Sequence, residues 1–232
     1  MSGSTCIQVD FESPSGRRAP EVQGTVRVLG AIVAGGSSRR FGGFKVTAEV
    51  GGLPMIEWSR RALVENVEDV VVVGGDTAVA AERGLGHLSD VIPGGGPLSG
   101  LVSALRAAAD QGMDGVFALA CDMPLVNPAV VRELLRQATG DEAVAPLRSG
   151  GAEPLCTFYP SGCLDVAQRC LAMDDRSLRS VLESLTVHLV DVTGVTEPAD
   201  PEALLMSVNA PEDALRAEGL LSARSLTGGG TP

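Results

Sequence analysis

Three segments of the 232-residue chain combine residue types that can handle phosphates. The first is Ala34-Gly35-Gly36-Ser37-Ser38-Arg39-Arg40-Phe41-Gly42-Gly43-Phe44-Lys45. Glycines let a backbone approach a phosphate closely and turn N–H groups toward it, and Arg39, Arg40 and Lys45 add fixed positive charge. Lys45 is the only lysine, the other 17 of the 18 basic residues being arginine. A compact ammonium suits a phosphate oxygen as a point charge. The second segment is Asp90-Val91-Ile92-Pro93-Gly94-Gly95-Gly96-Pro97-Leu98-Ser99-Gly100. It opens a helix whose first N–H groups can hold a ligand's polar edge, and Asp90 can accept hydrogen bonds from a base or ribose. The third is Val116-Phe117-Ala118-Leu119-Ala120-Cys121-Asp122-Met123-Pro124. An apolar strand running into Asp122 puts a carboxylate where a hard cation bound to phosphates should sit, since Mg²⁺ takes one or two carboxylates plus phosphate oxygens and water. Each segment has a plainer alternative: a solvated turn for the loop, a capping or turn residue for Asp90 and for Asp122.

The elements that must position these residues follow from the apolar pattern. Val26 to Val33 is a β-branched run stopped by Gly35-Gly36, and Val70 to Val73 is a second, stopped by Gly74-Gly75. Val116 to Ala120 is a third. Pro54, Pro97 and Pro128 each open a helix, proline suiting the first turn. Leu98, Leu101, Val102 and Leu105 lie on one helical face, as do Val130, Val131, Leu134 and Leu135. Ala143 to Ala145 and Leu155 to Tyr159 are further short strands. Strands alternating with helices of this length predict βαβ units, hence a Rossmann-like three-layer α/β sandwich with a mainly parallel sheet covered on both faces. Ligands of such sheets bind beyond the carboxyl ends of the strands, where the three segments lie. From about Glu153 the order loosens, and an antiparallel strand is expected at Val187 to Val192. Residues 1–24, rich in Ser, Gly, Pro and charge, read as a flexible extension, 25–221 as a single domain and 222–232 as a disordered tail.

Composition narrows the chemistry. The formal net charge is -11 and aromatics make up 3% of the chain, which argues against duplex binding and against stacking platforms for single strands. The five cysteines form no CxxC pair, and reduced thiols are expected, as in a cytoplasmic protein. Cys156, Cys163 and Cys170 are evenly spaced, but with His87 and His188 as the only histidines they make a poor metal set. No apolar run reaches the ~20 residues that span a bilayer, and Asp10, Glu12, Arg17 and Arg18 interrupt any secretory signal. GxxxxGK[ST] and GxGxxG are both absent, which excludes a P-loop and a dinucleotide fingerprint. No Ser-His-Asp or Cys-His set supplies a covalent nucleophile.

Together the segments resemble the molybdenum cofactor guanylyltransferases, the MobA-like branch of the nucleotidyltransferases. The resemblance rests on Val33 to Lys45, on Asp90 with Gly96-Pro97-Leu98-Ser99-Gly100, on Cys121-Asp122-Met123-Pro124, and on Ser207-Val208-Asn209-Ala210-Pro211-Glu212-Asp213. It covers residues 27 to 219 or so and implies a fold of the nucleotide-diphospho-sugar transferase type. It further implies that Val33, Ala34, Gly35, Gly36, Lys45, Asp90 and Asp122 contact GTP, and that Asp122 holds Mg²⁺. Lys45, Arg39 and Asp122 would serve catalysis, and Glu153, Arg176 and Asn209 would meet a molybdopterin-type acceptor. Molybdoenzymes or other cofactor-biosynthesis proteins are the implied partners, with neither nucleic acid nor membrane. Read from its own residues, Asn209 before Pro211 is a helix cap or turn.

The chain departs from the family pattern at Phe44, where the family has Asp before the loop lysine, and at Ser207 and Ala210. Phe44 removes a carboxylate beside the triphosphate. The implied reaction is transfer of GMP from GTP to molybdopterin with release of pyrophosphate. The alternatives are a molybdopterin cytidylyltransferase, another cofactor or sugar-phosphate nucleotidyltransferase, or a nucleotide-binding homologue without activity.

Overall fold

The computed structural model describes residues 26–34, 48–173, 175–196 and 200–227. Strand β1 (Val28–Val33) is followed by a small hairpin, β2 (Glu49–Val50) and β3 (Leu53–Pro54), and by helix α1 (Met55–Val64). Then come β4 (Asp69–Val73), α2 (Thr77–Ala81), β5 (Gly86–Leu88), α3 (Gly96–Asp110), β6 (Gly115–Ala120) and α4 (Pro128–Arg136). The second half contains β7 (Ala143–Arg148), β8 (Gly151–Ala152), β9 (Cys156–Pro160), α5 (Leu164–Ala172), α6 (Leu178–Glu183), β10 (Val187–Val190), α7 (Pro201–Leu204) and α8 (Pro211–Thr227). The main sheet runs β10-β7-β9-β6-β1-β4-β5, with β8 paired to β7.

The central strands are buried on both faces, as a parallel sheet in an α/β sandwich requires. Leu29, Ala31 and Val33 of β1, Val71 and Val73 of β4, and Val116 and Ala118 of β6 pack with α3, α5 and α6. Their alternate neighbours Val28, Ile32, Val70, Val72, Phe117 and Leu119 face α1, α4, α7 and α8. This period of two on both sides is what the continuous apolar runs encode. β1 pairs in parallel with β4 and with β6, placing Val33 opposite both Val73 and Ala120. Among the described residues no helix is long and apolar enough to cross a membrane.

Three expectations need correction. The strand after α6 ends at Val190, not Val192, and pairs in parallel with β7. The antiparallel strand is β9, between β6 and β7. The reason is connectivity. β9 follows β7 across the short turn of β8, which reverses the chain, and β10 is reached from β9 through two helices, α5 and α6, which reverse it again. The third concerns the C-terminus, where α8 carries regular structure past residue 221 to Thr227. Residues 228–232 and the N-terminal stretch 1–24 lie outside the described residues.

Candidate active site

The carboxyl ends of β1, β4 and β6 are stitched together by backbone hydrogen bonds. The Ala34 amide donates to the Val73 carbonyl at 3.0 Å, and the Cys121 amide donates to the Val33 carbonyl at 3.2 Å. Val33 and Ala34 are buried, so what they can present to a ligand is backbone. The glycine-rich segment departs from this point. Gly35, Gly36, Arg39, Arg40, Phe44 and Lys45 lie outside the described residues.

Asp122 stands just past the end of β6, half-buried, between anchoring Cys121 and Met123. Its carbonyl accepts from the Val208 amide at 2.9 Å, which draws the Ser207-Val208-Asn209 segment alongside it. The structure therefore brings Asp122 and Asn209 together across 87 positions of sequence. The start of α8 behind Asn209 is closed by Asp213. Its carboxylate accepts from the Asn209 amide at 2.8 Å and the Ala210 amide at 2.9 Å, reaching back from the first turn of α8 as in a capping box.

Asp90 lies half-buried beside the start of α3. A Cβ placed on Gly100 would lie 3.4 Å from its Oδ1. Burial raises its carboxyl above the usual aspartate range, with the charge of His87 acting weakly the other way. Among the described residues nothing donates a hydrogen bond to this carboxylate. A carboxylate partly out of water and without a protein donor has acceptor capacity open to a ligand. Around it the loop is fixed by side chains that sequence reading passed over. The Ser99 hydroxyl accepts from the Ile92 amide at 2.8 Å and donates to its carbonyl at 3.1 Å, and the Ser103 hydroxyl donates to the Ser89 carbonyl at 2.7 Å. His87 Nε2 lies 3.1 Å from the Gly74 carbonyl, closing the gap to β4.

The acceptor-side residues approach from the other half. Arg176 donates to the Gly94 carbonyl at 3.1 Å, so it touches the second glycine cluster. Glu153 sits where the Leu155 carbonyl accepts from the Ala120 amide at 2.9 Å, which sets residues 153–155 beside the Ala120–Asp122 turn. Its carboxylate faces Arg148 at 2.5 Å, and Arg148 also reaches Glu202 of α7 at 2.9 Å. Glu202 further accepts from the Ser149 amide at 2.7 Å. That amide and the Arg148 guanidinium bring the Glu202 carboxyl down to about 2. Arg148 and Glu202 escaped sequence reasoning. The one available signal was the Arg148-Ser149-Gly150-Gly151 turn signature after an apolar run.

Among the described residues, no group of three His, Cys, Asp or Glu side chains forms a metal cage. Asp122 alone fits a cation that takes most of its ligands from phosphate oxygens and water. Cys121, Cys156 and Cys163 are buried thiols and Cys170 a half-buried one. Burial pushes the Cys163 thiol up to about 12, which makes it an inert core group.

A family model described as the MobA-like NTP transferase domain matches residues 30–190. The chain is 33% identical over 198 residues to the molybdenum cofactor guanylyltransferase of Cereibacter sphaeroides, covering 84% of this chain and 98% of that one. The structure superimposes on molybdopterin-guanine dinucleotide biosynthesis protein A from Archaeoglobus fulgidus with a TM-score of 0.67 at 27% identity, over 84% of this chain and 99% of the other. It shares its fold with 2-C-methyl-D-erythritol 4-phosphate cytidylyltransferase from Thermus thermophilus, with a TM-score of 0.59 at 16% identity, over 85% and 99% of the two chains.

Proposed function

The chain belongs to the MobA-like NTP transferase family, and we propose that this nucleotidyltransferase moves GMP from GTP to molybdopterin, giving the guanine dinucleotide cofactor and pyrophosphate in the cytoplasm. The observation that carries the reading is the position of Asp90, Asp122 and Asn209 on one rim of the sheet, with Asp90 half-buried and without a hydrogen-bond donor among the described residues.

A terminal phosphate oxygen of the acceptor attacks the α-phosphorus of GTP. A new oxygen–phosphorus bond forms there as the bond to the bridging oxygen of the β-phosphate breaks, and pyrophosphate leaves with the bonding pair. Such transfers rely on positioning and charge neutralisation. Asp122 would hold Mg²⁺, which would supply Lewis-acid neutralisation of the phosphate charge when bound. Asp90 accepts hydrogen bonds from the nucleoside, while the amides of the glycine-rich segment, Arg39 and Lys45 meet the departing pyrophosphate. Arg176 and Asn209 face the acceptor's phosphate. Glu153, engaged with Arg148, shapes the acceptor side.

The test is pyrophosphate release with GTP, CTP, ATP and UTP, each with Mg²⁺, with and without molybdopterin. Release that requires GTP and molybdopterin together is the expected result. Release with CTP in place of GTP overturns the guanylyl assignment, and binding of GTP without any release overturns the assignment of an active enzyme.

A further inference from the structure

A cavity of about 330 Å³ opens on the β7–β8 hairpin, lined by Arg148, Ser149, Gly150, Glu153, Pro154 and Arg179 among others. Its volume is at the low end for small-molecule sites. Its floor, Glu153-Pro154, adjoins the Ala120–Asp122 turn through the Leu155–Ala120 hydrogen bond. A molecule whose phosphate lies at Asp122 has this floor within reach of its remainder.

The two arginines of the wall differ in kind. Arg148 is neutralised by Glu153 and Glu202. Arg179 pairs with no carboxylate among the described residues, although this chain carries 29 acidic residues against 18 basic ones. Its position is fixed by α6, whose Leu178 and Val181 are buried and whose first turn is capped by the Ser177 hydroxyl accepting from the Arg179 amide at 3.1 Å. Charge decides what such a cavity takes. A second phosphate here would face the Glu153 and Glu202 carboxylates with no net positive charge to hold it, since Arg148 offsets one of them and Arg179 the other. A neutral heteroaromatic ring system meets no such repulsion. Its carbonyl and ring nitrogens accept from the guanidinium fork, and its face can stack on the guanidinium plane.

We propose that this cavity seats the ring system of the acceptor, a pterin-class heterocycle, and that Arg179 is the residue that reads it and sets acceptor choice; this rests on the reading above that the acceptor's phosphate reaches Asp122. The Arg148–Glu153 and Arg148–Glu202 pairs are then positioning contacts that hold the hairpin wall.

Two variants of the full chain test the proposal by steady-state pyrophosphate release. Arg179→Met removes the guanidinium and keeps the alkyl stem. Gly150→Phe fills the cavity, since a Cβ there meets nothing within 4 Å and the backbone is outside the left-handed region. Each should raise KM for molybdopterin by about tenfold or more, the scale of a lost hydrogen bond to a charged group. Both should leave kcat within about threefold, and GTP–Mg²⁺ affinity and Tm unchanged. Arg179→Lys should recover part of the loss. An unchanged KM in both variants overturns the cavity as the acceptor's seat. A raised KM in Gly150→Phe alone overturns Arg179 as the reader. A wild-type protein inert with GTP and molybdopterin fails at the earlier step and overturns the reaction itself, a result separable from either variant outcome.

Discussion

Gly100 is a position where α3 comes close against β4, and Gly100→Ala measures how tightly the two are fitted. A Cβ on Gly100 would stand 2.8 Å from Cγ1 of Val73 and 3.4 Å from Oδ1 of Asp90. Two effects oppose each other. Alanine in place of glycine inside a helix stabilises by about 0.8–1.0 kcal/mol, whereas overpacking a fitted core costs about 1–3 kcal/mol. Val73 is 1% exposed and β-branched, so it has no second rotamer ready to receive the methyl. The clash therefore wins, by about 1 kcal/mol and at most about 2, which lowers Tm by roughly 2–8 °C at this chain length. Because α3 must move away from β4, it takes with it Ser99 and its hold on Ile92, and GTP affinity should fall in parallel. Calorimetry on a double-mutant cycle gives the decisive reading. With Val73→Ala the obstructing methyl is gone, and Gly100→Ala should become neutral or stabilising. A Tm that rises on Gly100→Ala alone, or an equal loss in both backgrounds, refutes the close fit.

Three further outcomes are expected. Asp122→Asn should abolish pyrophosphate release and its Mg²⁺ dependence while leaving Tm within a few degrees; full turnover in that variant removes Asp122 from the metal site. Lys45→Ala should weaken GTP more than GMP, by about 1.5–3 kcal/mol for a charge-assisted hydrogen bond, and calorimetric titration showing equal losses would take Lys45 off the β- and γ-phosphates. Asp90→Asn should trade stability against binding. Burial raises the folded-state carboxyl above the usual aspartate range, so the ionised form penalises the folded state. That penalty is present at neutral pH and disappears as pH falls below the ordinary value of about 3.9. The variant should therefore melt higher than wild type at pH 7, match it at pH 3, and bind GTP more weakly; a lower Tm at pH 7 contradicts the burial argument.

The parts of this fold legible in the sequence are those fixed by local pattern. β1, β4 and β6 are apolar runs because both their faces are buried, and α3 and α4 carry Pro97 and Pro128 in their first turns because a first-turn proline loses no helical hydrogen bond. Once those strands are taken as parallel, the position of Asp122 follows, since a residue past a strand's carboxyl end stands on the ligand side of the sheet. α2 and β5 are too short to show a period. Pro146 hides the outer half of β7, because a proline normally argues against a strand; here the ladder to β10 ends at Pro146 itself. Strand direction is a different kind of information. Nothing in Val187–Val190 distinguishes a parallel from an antiparallel partner, since direction is set by the connections that precede the strand. The same holds for contacts far apart in sequence. Arg148 and Glu202 are 54 residues apart, and neither residue's local spacing depends on the other, so no window of sequence contains the pair. Asn209 illustrates the remaining case. Its neighbourhood before Pro211 reads correctly as a helix start, but the acceptor that closes that start is Asp213, because a carboxylate in the first helical turn can reach back to two amides at once. With Asp213 closing the start of α8 and the Val208 amide bonded to the Asp122 carbonyl, what remains distinctive about Asn209 is its place next to that backbone contact, at the end of the sheet where the proposed transfer occurs.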